Sequence, residues 1–405
     1  MRIAYVTQWF EPEPNILKGI AFVQALQRLG HEVTVITAFP NYPEGRIYDG
    51  YKLRLIRRET FNGVPVVRLP LYPSHDNSSV RRSVNFLSFF LAVSIYLVLR
   101  RTRYDIAYVY HPPITVGLAA ALARMPFILD VQDLWPDTIA ATGMRGAAHL
   151  EGVISTLCNF VYRRASAIVT QSEGMRRALI DRRVPPAKVS VIRNWAAAEL
   201  HGVAESLGNC GPFTLVYGGN LGRAQQLGNL MDAAAILQQE RPGIQIRLYG
   251  SGIDELELRA TALKLKLTNV EFCNRVSAQE ISSAFANADA LLLHLGDNPL
   301  FAITVPSKTQ QYLAMGRPII AAVNGEAAEI LKQSGAALVV PAADPIALAR
   351  AIVEMADAPD SEKDKMGRAG AAFYERHFSF SGAVRRTVAL LEDTYGQVVR
   401  GQGIR

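Results

Sequence analysis

Short apolar runs closed by glycine or polar residues recur along this chain with helix-length segments between them, and that rhythm leaves few folds open. Arg2-Ile-Ala-Tyr-Val-Thr7 reads as a buried strand, Ile20–Leu29 as a helix stopped at Gly30, and His31–Thr37 as a second strand. Strand, helix and strand in that order form a βαβ unit, and such units build parallel sheets wound on both faces. Further strands follow at Asp105–Tyr110, Pro126–Gln132, Ala165–Gln171 and Val189–Asn194. Between Leu53 and Arg68 shorter, mixed strands are expected, with turns at Asn62-Gly63 and at Pro65. Residues 196–212 are small, polar and without period, which marks a linker. The rhythm then restarts through Phe213–Tyr217, Gln245–Tyr249, Val270–Val276 and Ala288–His294. The expected fold is α/β, with two doubly wound Rossmann-like domains at 1–195 and 213–380. A closing helix over 381–405 should pack back toward the first domain. At 405 residues the chain is long enough for two cores.

Charge divides unevenly between the halves. Residues 1–200 hold 24 Lys and Arg against 15 Asp and Glu, while the remainder holds 19 against 21. A basic first half suggests an anionic surface as partner. Ser83–Leu99 is the most apolar segment, with Arg81 and Arg82 before it and Arg100, Arg101 and Arg103 after it. Its length is at the short limit for crossing a bilayer, and Asn85 and three serines weigh against that. A buried core helix or an interfacial one fits better, and flanking arginines suit anionic headgroups. Nucleic acid is the weaker partner, because no aromatic stacking groups interleave with the arginines. Cys158, Cys210 and Cys273 lack metal or disulfide spacing, and Met1–Pro14 reaches charge and proline too early for a signal peptide. Both point to a cytoplasmic protein.

Open α/β sheets bind ligands beyond the C-terminal ends of their strands. In the first half that position offers His111, Gln132, Asp133, Trp135 and Asp137; loop capping is the competing use for each. In the second half it offers Gly218-Gly219-Asn220-Leu221-Gly222-Arg223, then Gly250, then Asn274-Arg275-Val276. Val305-Pro-Ser-Lys-Thr-Gln310 should open a short helix, capped by Ser307 and stopped in the left-handed conformation at Gly316. Free N–H groups beside the charge of Lys308 would suit a phosphate.

These residues resemble the family 4 glycosyltransferases, retaining enzymes of GT-B architecture in which two such domains face each other across a cleft. The resemblance rests on Phe39-Pro-Asn-Tyr-Pro43, Asp133-Leu-Trp-Pro-Asp137, Tyr217-Gly-Gly-Asn-Leu-Gly-Arg-Ala-Gln225, Val305–Gln310 and Gly316-Arg-Pro318. Within the family the motifs are most similar to the WbuB-type branch, associated with N-acetyl-fucosamine transfer. The resemblance implies a UDP-sugar donor, used as substrate without a metal cofactor, and a polyprenyl-diphosphate-linked saccharide acceptor at the inner face of a bacterial cytoplasmic membrane. Carried over by motif, Gly219–Leu221 lie beside the donor diphosphate with Arg223 as a cationic partner, and Lys308 neutralises the leaving diphosphate between Ser307 and Thr309. Asn274, Arg275 and Val276 meet the base, largely through backbone, and Glu326 and Glu329 lie near the sugar or the following helix. Asp133 and Asp137 fall on the acceptor side with His111 nearby, and Asp133, His111 or the departing phosphate takes the proton. The family's paired glutamates are Ile303 and Gln311 here, a departure compatible with a 6-deoxy donor or with lost activity. Rival expectations are a GT-B sugar-nucleotide epimerase and an inactive, membrane-associated partner of another transferase.

Overall fold

The computed structural model describes residues 1–14, 17–74, 78–137, 147–197 and 211–401. The chain forms two compact units, Met1–Ile192 with the segment from Ala383 onward, and Arg193–Gly382. The division falls at Ile192 rather than after 195 because Trp195 and Ala196 pack inside the second unit. The Trp195 ring meets Phe380 edge-on at 5.0 Å, and the buried Ala196 donates its N–H to the Tyr374 hydroxyl at 3.2 Å. Residues 198–210 of the expected linker, Cys210 among them, lie outside the described residues.

The first unit is built on β1 (Arg2–Val6), β2 (Glu32–Ala38), β3 (Arg57–Phe61), β4 (Val64–Leu69), β5 (Ile106–His111), β6 (Phe127–Val131), β7 (Ala167–Thr170) and β8 (Val189–Val191). Their order is β3-β4-β2-β1-β5-β6-β7-β8, parallel except for the β3–β4 hairpin. Asn62 and Gly63 turn that hairpin with φ of 45° and 82°, the left-handed pair a tight two-residue turn requires. Pro65, expected in a turn, instead lies in β4 opposite Thr60. It is tolerated because pairing of β4 with β2 begins only at Val66, so no ladder hydrogen bond to β2 is lost. From β1 the sheet grows first toward β2 and β4, then on the other side toward β5, and that reversal creates the crevice position.

The apolar segment forms a helix over Ser79–Arg100, capped by Ser78, whose hydroxyl accepts the Arg81 N–H at 3.4 Å. It combines both expected roles. Asn85, Phe89, Val93, Tyr96 and Leu97 are buried, while Val80, Val84, Leu87, Leu91, Ile95 and Val98 stand exposed on the opposite face. Asn85 is there for its hydrogen bonds. It accepts from Gln8 Nε2 at 2.6 Å and donates to the Tyr72 carbonyl at 2.7 Å.

The second unit contains β9 (Thr214–Gly218), β10 (Gln245–Tyr249), β11 (Val270–Phe272), β12 (Ala290–His294), β13 (Ile319–Ala322) and β14 (Ala337–Val340). All pair in parallel in the order β11-β10-β9-β12-β13-β14. This is the Rossmann order, with its switch between β9 and β12. Apolar clusters cover both faces, one around Tyr312 and Leu313, the other around Leu230 and Ile352. For the first unit, Asn85→Leu should cost about 1–3 kcal/mol by stranding the buried Gln8 amide. Urea denaturation will show this as a lower midpoint; an unchanged midpoint would mean that apolar packing alone seats the helix.

Candidate active site

The switch point of the second unit is made of two backbone turns in contact. Gly219 sits at φ +141° and Gly250 at φ +143°, values an L side chain rarely adopts. A β-carbon on residue 250 would lie 1.8 Å from the Gly219 carbonyl oxygen, and one on residue 219 would lie 2.6 Å from Lys308 Cε. Hydrogen bonds hold the turns in register. Gly219 N–H donates to Tyr249 O at 2.8 Å, Leu221 N–H to Ser251 O at 2.9 Å, and Gly250 N–H to Asn274 O at 2.9 Å. The Tyr217 hydroxyl closes the first turn onto Asn220 O at 2.7 Å. Leu221 anchors it in the core, while Gly219 and Asn220 face solvent.

The Ser307–Met315 helix brings a cation to this turn. Its N-cap is Pro306, not Ser307, and no side chain caps it. Pro306 adopts an extended φ of −63° and ψ of 145°, so Ser307 is already the first helical residue and its exposed hydroxyl cannot reach back. Gly316 ends the helix at φ 65°, as its position implied. Tyr312, one turn beyond Lys308, was not singled out in the sequence. Its hydroxyl accepts the Gly218 N–H at 3.2 Å and approaches Gly218 O at 3.4 Å, with its ring edge-on to Phe285 at 5.2 Å. Residues four apart share a helix face. Tyr312 therefore fixes Lys308 over the glycines, with Nζ 4.9 Å from the Tyr217 ring centroid. Lys308 has no ion pair or hydrogen bond among the described residues, and burial lowers its pKa to about 8. A half-buried ammonium beside exposed glycine backbone, with no counter-charge among the described residues, is suited to an anion.

The remaining expected residues differ in what their side chains meet. Asn274 joins it through its carbonyl, at φ 44°, with its side chain accepting from Arg259 at 3.2 Å. Arg275 and Arg223 are exposed, and Val276 and Gln311 half-buried. Thr309 is fully buried, its hydroxyl without a hydrogen-bond partner among the described residues. Glu326 opens the Gly325–Ser334 helix, where a β-carbon on Gly325 would meet Ala302 O at 2.0 Å; this places Glu326 beside the Ile303 segment. Arg193 approaches its carboxylate at 3.7 Å. Glu329 faces solvent and pairs with Lys332 at 3.1 Å. The His294 imidazole, also not singled out, holds Gln225 O at 2.6 Å and so ties the loop after β9 to the end of β12.

The first unit has its own cluster at the β1/β5 reversal. His111 ends β5 fully buried, neither ring nitrogen having a partner among the described residues, and burial drives its pKa down to about 3. Asp133 is half-buried with its pKa raised by burial, so of the two it is the stronger base. Asp137 pairs with Arg182, which also donates to the Trp135 carbonyl at 2.9 Å; the pair clamps the loop. Gln132 turns inward and donates to Asp130 at 2.5 Å. Asp130 is the larger omission of the sequence reading. It forms a fully buried ion pair with Lys18 and accepts from the Tyr108 hydroxyl at 2.6 Å. An aspartate within Phe-Ile-Leu-Asp-Val was the available signal.

Two Rossmann-like units with a cation poised over a glycine turn at the second switch point define a GT-B fold. Comparison with known proteins gives the same class. Residues 21–195 match the glycosyl transferase 4-like domain, and residues 212–358 match glycosyl transferases group 1. WcaI of Escherichia coli K12, named for glycosyl transfer in colanic acid biosynthesis, is 27% identical over 73% of this chain and 76% of its own. WbjE of Pseudomonas aeruginosa, named a glycosyltransferase, is 24% identical over 65% of this chain and 69% of its own. Anabaena HepE, solved with UDP and glucose, superposes with a TM-score of 0.68 over 96% of this chain and 99% of its own, at 17% identity. The chain belongs to the glycosyltransferases with GT-B fold.

Gly250→Ala should collapse the contact between the turns and cost several kcal/mol, by forcing φ and by the clash with Gly219. Gly228→Ala is the control. It has nothing within 4 Å and should be neutral or stabilising by about 0.5 kcal/mol. Thermal denaturation of the two variants separates close approach from loss of glycine as such.

Proposed function

We propose that this glycosyltransferase moves an N-acetylated, 6-deoxy hexosamine from a UDP-sugar to a polyprenyl-diphosphate-linked saccharide, in bacterial surface polysaccharide assembly of the WbuB type. The observation that carries the reading is the ammonium of Lys308 over Gly219, with no counter-charge of its own among the described residues. The role in colanic acid biosynthesis for which WcaI is named supports polysaccharide assembly, and the UDP held by HepE supports a UDP-sugar donor. Ile303, standing where a sugar-contacting glutamate is expected, suits a donor whose C6 is a methyl group.

In this mechanism an acceptor hydroxyl attacks the anomeric carbon from the face that the diphosphate leaves. The new C–O bond forms as the bond to the β-phosphate breaks, and UDP departs with that electron pair. Lys308 and the backbone of the glycine turn stabilise the charge that develops on the phosphate, in the place a metal occupies in other transferases. The proton goes to the departing phosphate or to Asp133; His111, neutral with a pKa near 3, is the weakest acceptor of the three.

Membrane association is part of the proposal. The exposed aliphatic face of the Ser79–Arg100 helix is flanked by exposed Arg81, Arg101 and Arg103. Aliphatic residues for the acyl boundary and arginines for phosphate headgroups are what an anionic bilayer surface on the cytoplasmic side requires.

Because the Lys308 pKa lies below the ordinary value, its charge is lost as pH rises through about 8. The kcat/KM for the UDP-sugar should therefore fall above about pH 8, since that ratio reports the free enzyme. Lys308→Arg should remove this limb, and Lys308→Ala should lower kcat by at least about a hundredfold. A limb that survives in Lys308→Arg assigns it to another group. On the membrane side, Leu91→Glu with Ile95→Glu should abolish flotation with anionic vesicles while leaving the thermal midpoint within about a degree. Unchanged flotation would remove the helix face from the proposal.

A further inference from the structure

Neighbouring strands of the first unit each deliver a ring to the same edge of their sheet. Tyr42 follows β2, Trp9 follows β1, His111 ends β5 and Trp135 follows β6, and those strands lie side by side in that order. Phe86 of the Ser79–Arg100 helix closes the middle of the row. Centroids are 6.1 Å apart from Tyr42 to Trp9, 6.3 Å from Trp9 to Phe86, 6.4 Å from Phe86 to Trp135, and 5.8 Å from Trp135 to His111. The row crosses the β1/β5 reversal, where ligands of such sheets bind. Rings that serve only a core disappear from solvent. Here His111 is sealed, but Trp9, Tyr42, Phe86 and Trp135 keep part of their surface open.

The row is also fixed in advance. The buried Glu13 carboxylate accepts the N–H groups of Asn41 at 2.8 Å, Tyr42 at 2.9 Å and Phe10 at 3.1 Å, and so locks the backbone on which Tyr42 and Trp9 sit. Gln8, next to Trp9, is joined to Asn85, next to Phe86. Arg182 holds the Trp135 carbonyl. Prearranged rings lose little freedom when a ligand lands on them. Beside Trp135 stands the half-buried carboxylate of Asp133, for which no partner exists among the described residues.

Rings for an apolar C–H face and a carboxylate for a hydroxyl match a pyranose, which carries both. An isoprenoid would call for aliphatic walls, and the chain keeps those on the other side of the same helix. With 3.6 residues per turn, Phe86 falls within about 60° of the buried Phe89 and Val93 and about 140–180° from the exposed Leu91 and Ile95. The geometry points to Tyr42, Trp9, Phe86 and Trp135 as a stacking platform for the saccharide part of the acceptor, with Trp135 orienting the reacting sugar toward Asp133. This rests on the transferase reading above for the identity of the ligand.

The test uses N-acetylglucosaminyl diphosphate carried on undecaprenol and, separately, on an octyl chain. Trp9→Ala and Phe86→Ala should each raise acceptor KM about three- to tenfold for both compounds, the size expected for one lost stacking contact. The kcat should stay within about twofold, and Trp9→Phe and Phe86→Tyr should restore KM, which a merely structural loss would not do. Unchanged KM overturns the platform, as does a rise confined to the undecaprenyl compound, which would give the rings to the lipid. If the wild type transfers from no UDP-sugar, the transferase reading fails, and saturation-transfer NMR on the octyl compound decides the platform separately. Ring-dependent binding upholds it, and absence of binding overturns it.

Discussion

The carbonyl of Gly219 occupies the space that a β-carbon at residue 250 would need, and the switch point of the second unit depends on that contact. Two loops leaving adjacent parallel strands can touch backbone to backbone only when both lack side chains at the crossing. Once they do, the N–H and C=O groups of each are used by the other, and the turn after β9 becomes a rigid shelf. Tyr312 then needs only to reach Gly218 for the whole Ser307–Met315 helix to be indexed to the shelf. Lys308 inherits its position from that indexing. Its depressed pKa has the same origin, because burying the ammonium against Tyr217 and the glycines removes water without supplying an anion. The site is thus an unsatisfied electrostatic arrangement maintained by backbone packing.

The first unit meets the same topological situation with different means. Its reversal between β1 and β5 is underlain by a charged pair, Lys18 with Asp130, buried among Tyr5, Tyr108 and Phe22. Removing one member of such a pair is far more destabilising than the pair is stabilising, since it leaves a lone charge in the interior. Its effect is therefore to specify where the loop after β1 closes onto β6. Above it stand aromatic rings and the half-buried Asp133 carboxylate, with the Arg182 guanidinium engaged by Asp137 and the Trp135 carbonyl. One unit presents a cation over a glycine turn, and the other presents aromatic rings beside a carboxylate. The division of chemistry follows the division of the fold.

Much of this was legible in the residues. Strand runs such as Arg2–Val6 and Thr214–Gly218 are short, apolar and punctuated by glycine, so the βα rhythm and both parallel sheets could be read directly. The same holds for the glycine turns and Lys308, because φ near +140° and a lone lysine in a first helical turn leave marks in a single sequence. What escaped was long-range pairing. Nothing local announces that Tyr312 bonds to Gly218, that His294 holds Gln225, or that Lys18 meets Asp130 across more than a hundred positions. Ser307 misled for a local reason. A serine at a helix start reads as a cap, but the extended Pro306 takes the cap position and moves Ser307 into the helix. Gln132 and Glu329 have polar chemistry suited to a site, yet their side chains are engaged by Asp130 and Lys332.

The Ser79–Arg100 helix shows why composition alone could not assign its environment. By length and hydropathy it is long and apolar enough to cross a bilayer. Its apolar residues divide into two faces, however, and only one remains unmatched. The packed face carries Asn85, which is bonded to Gln8 and Tyr72, groups belonging to the sheet edge of a folded domain. Hydrocarbon on all sides is therefore excluded for this helix without dismantling that edge. A bilayer could meet only the face of Leu87, Leu91 and Ile95, with the helix axis lying in the plane of the surface. In that orientation Phe86, just around the helix from Leu87, lies on the flank turned toward the ring row.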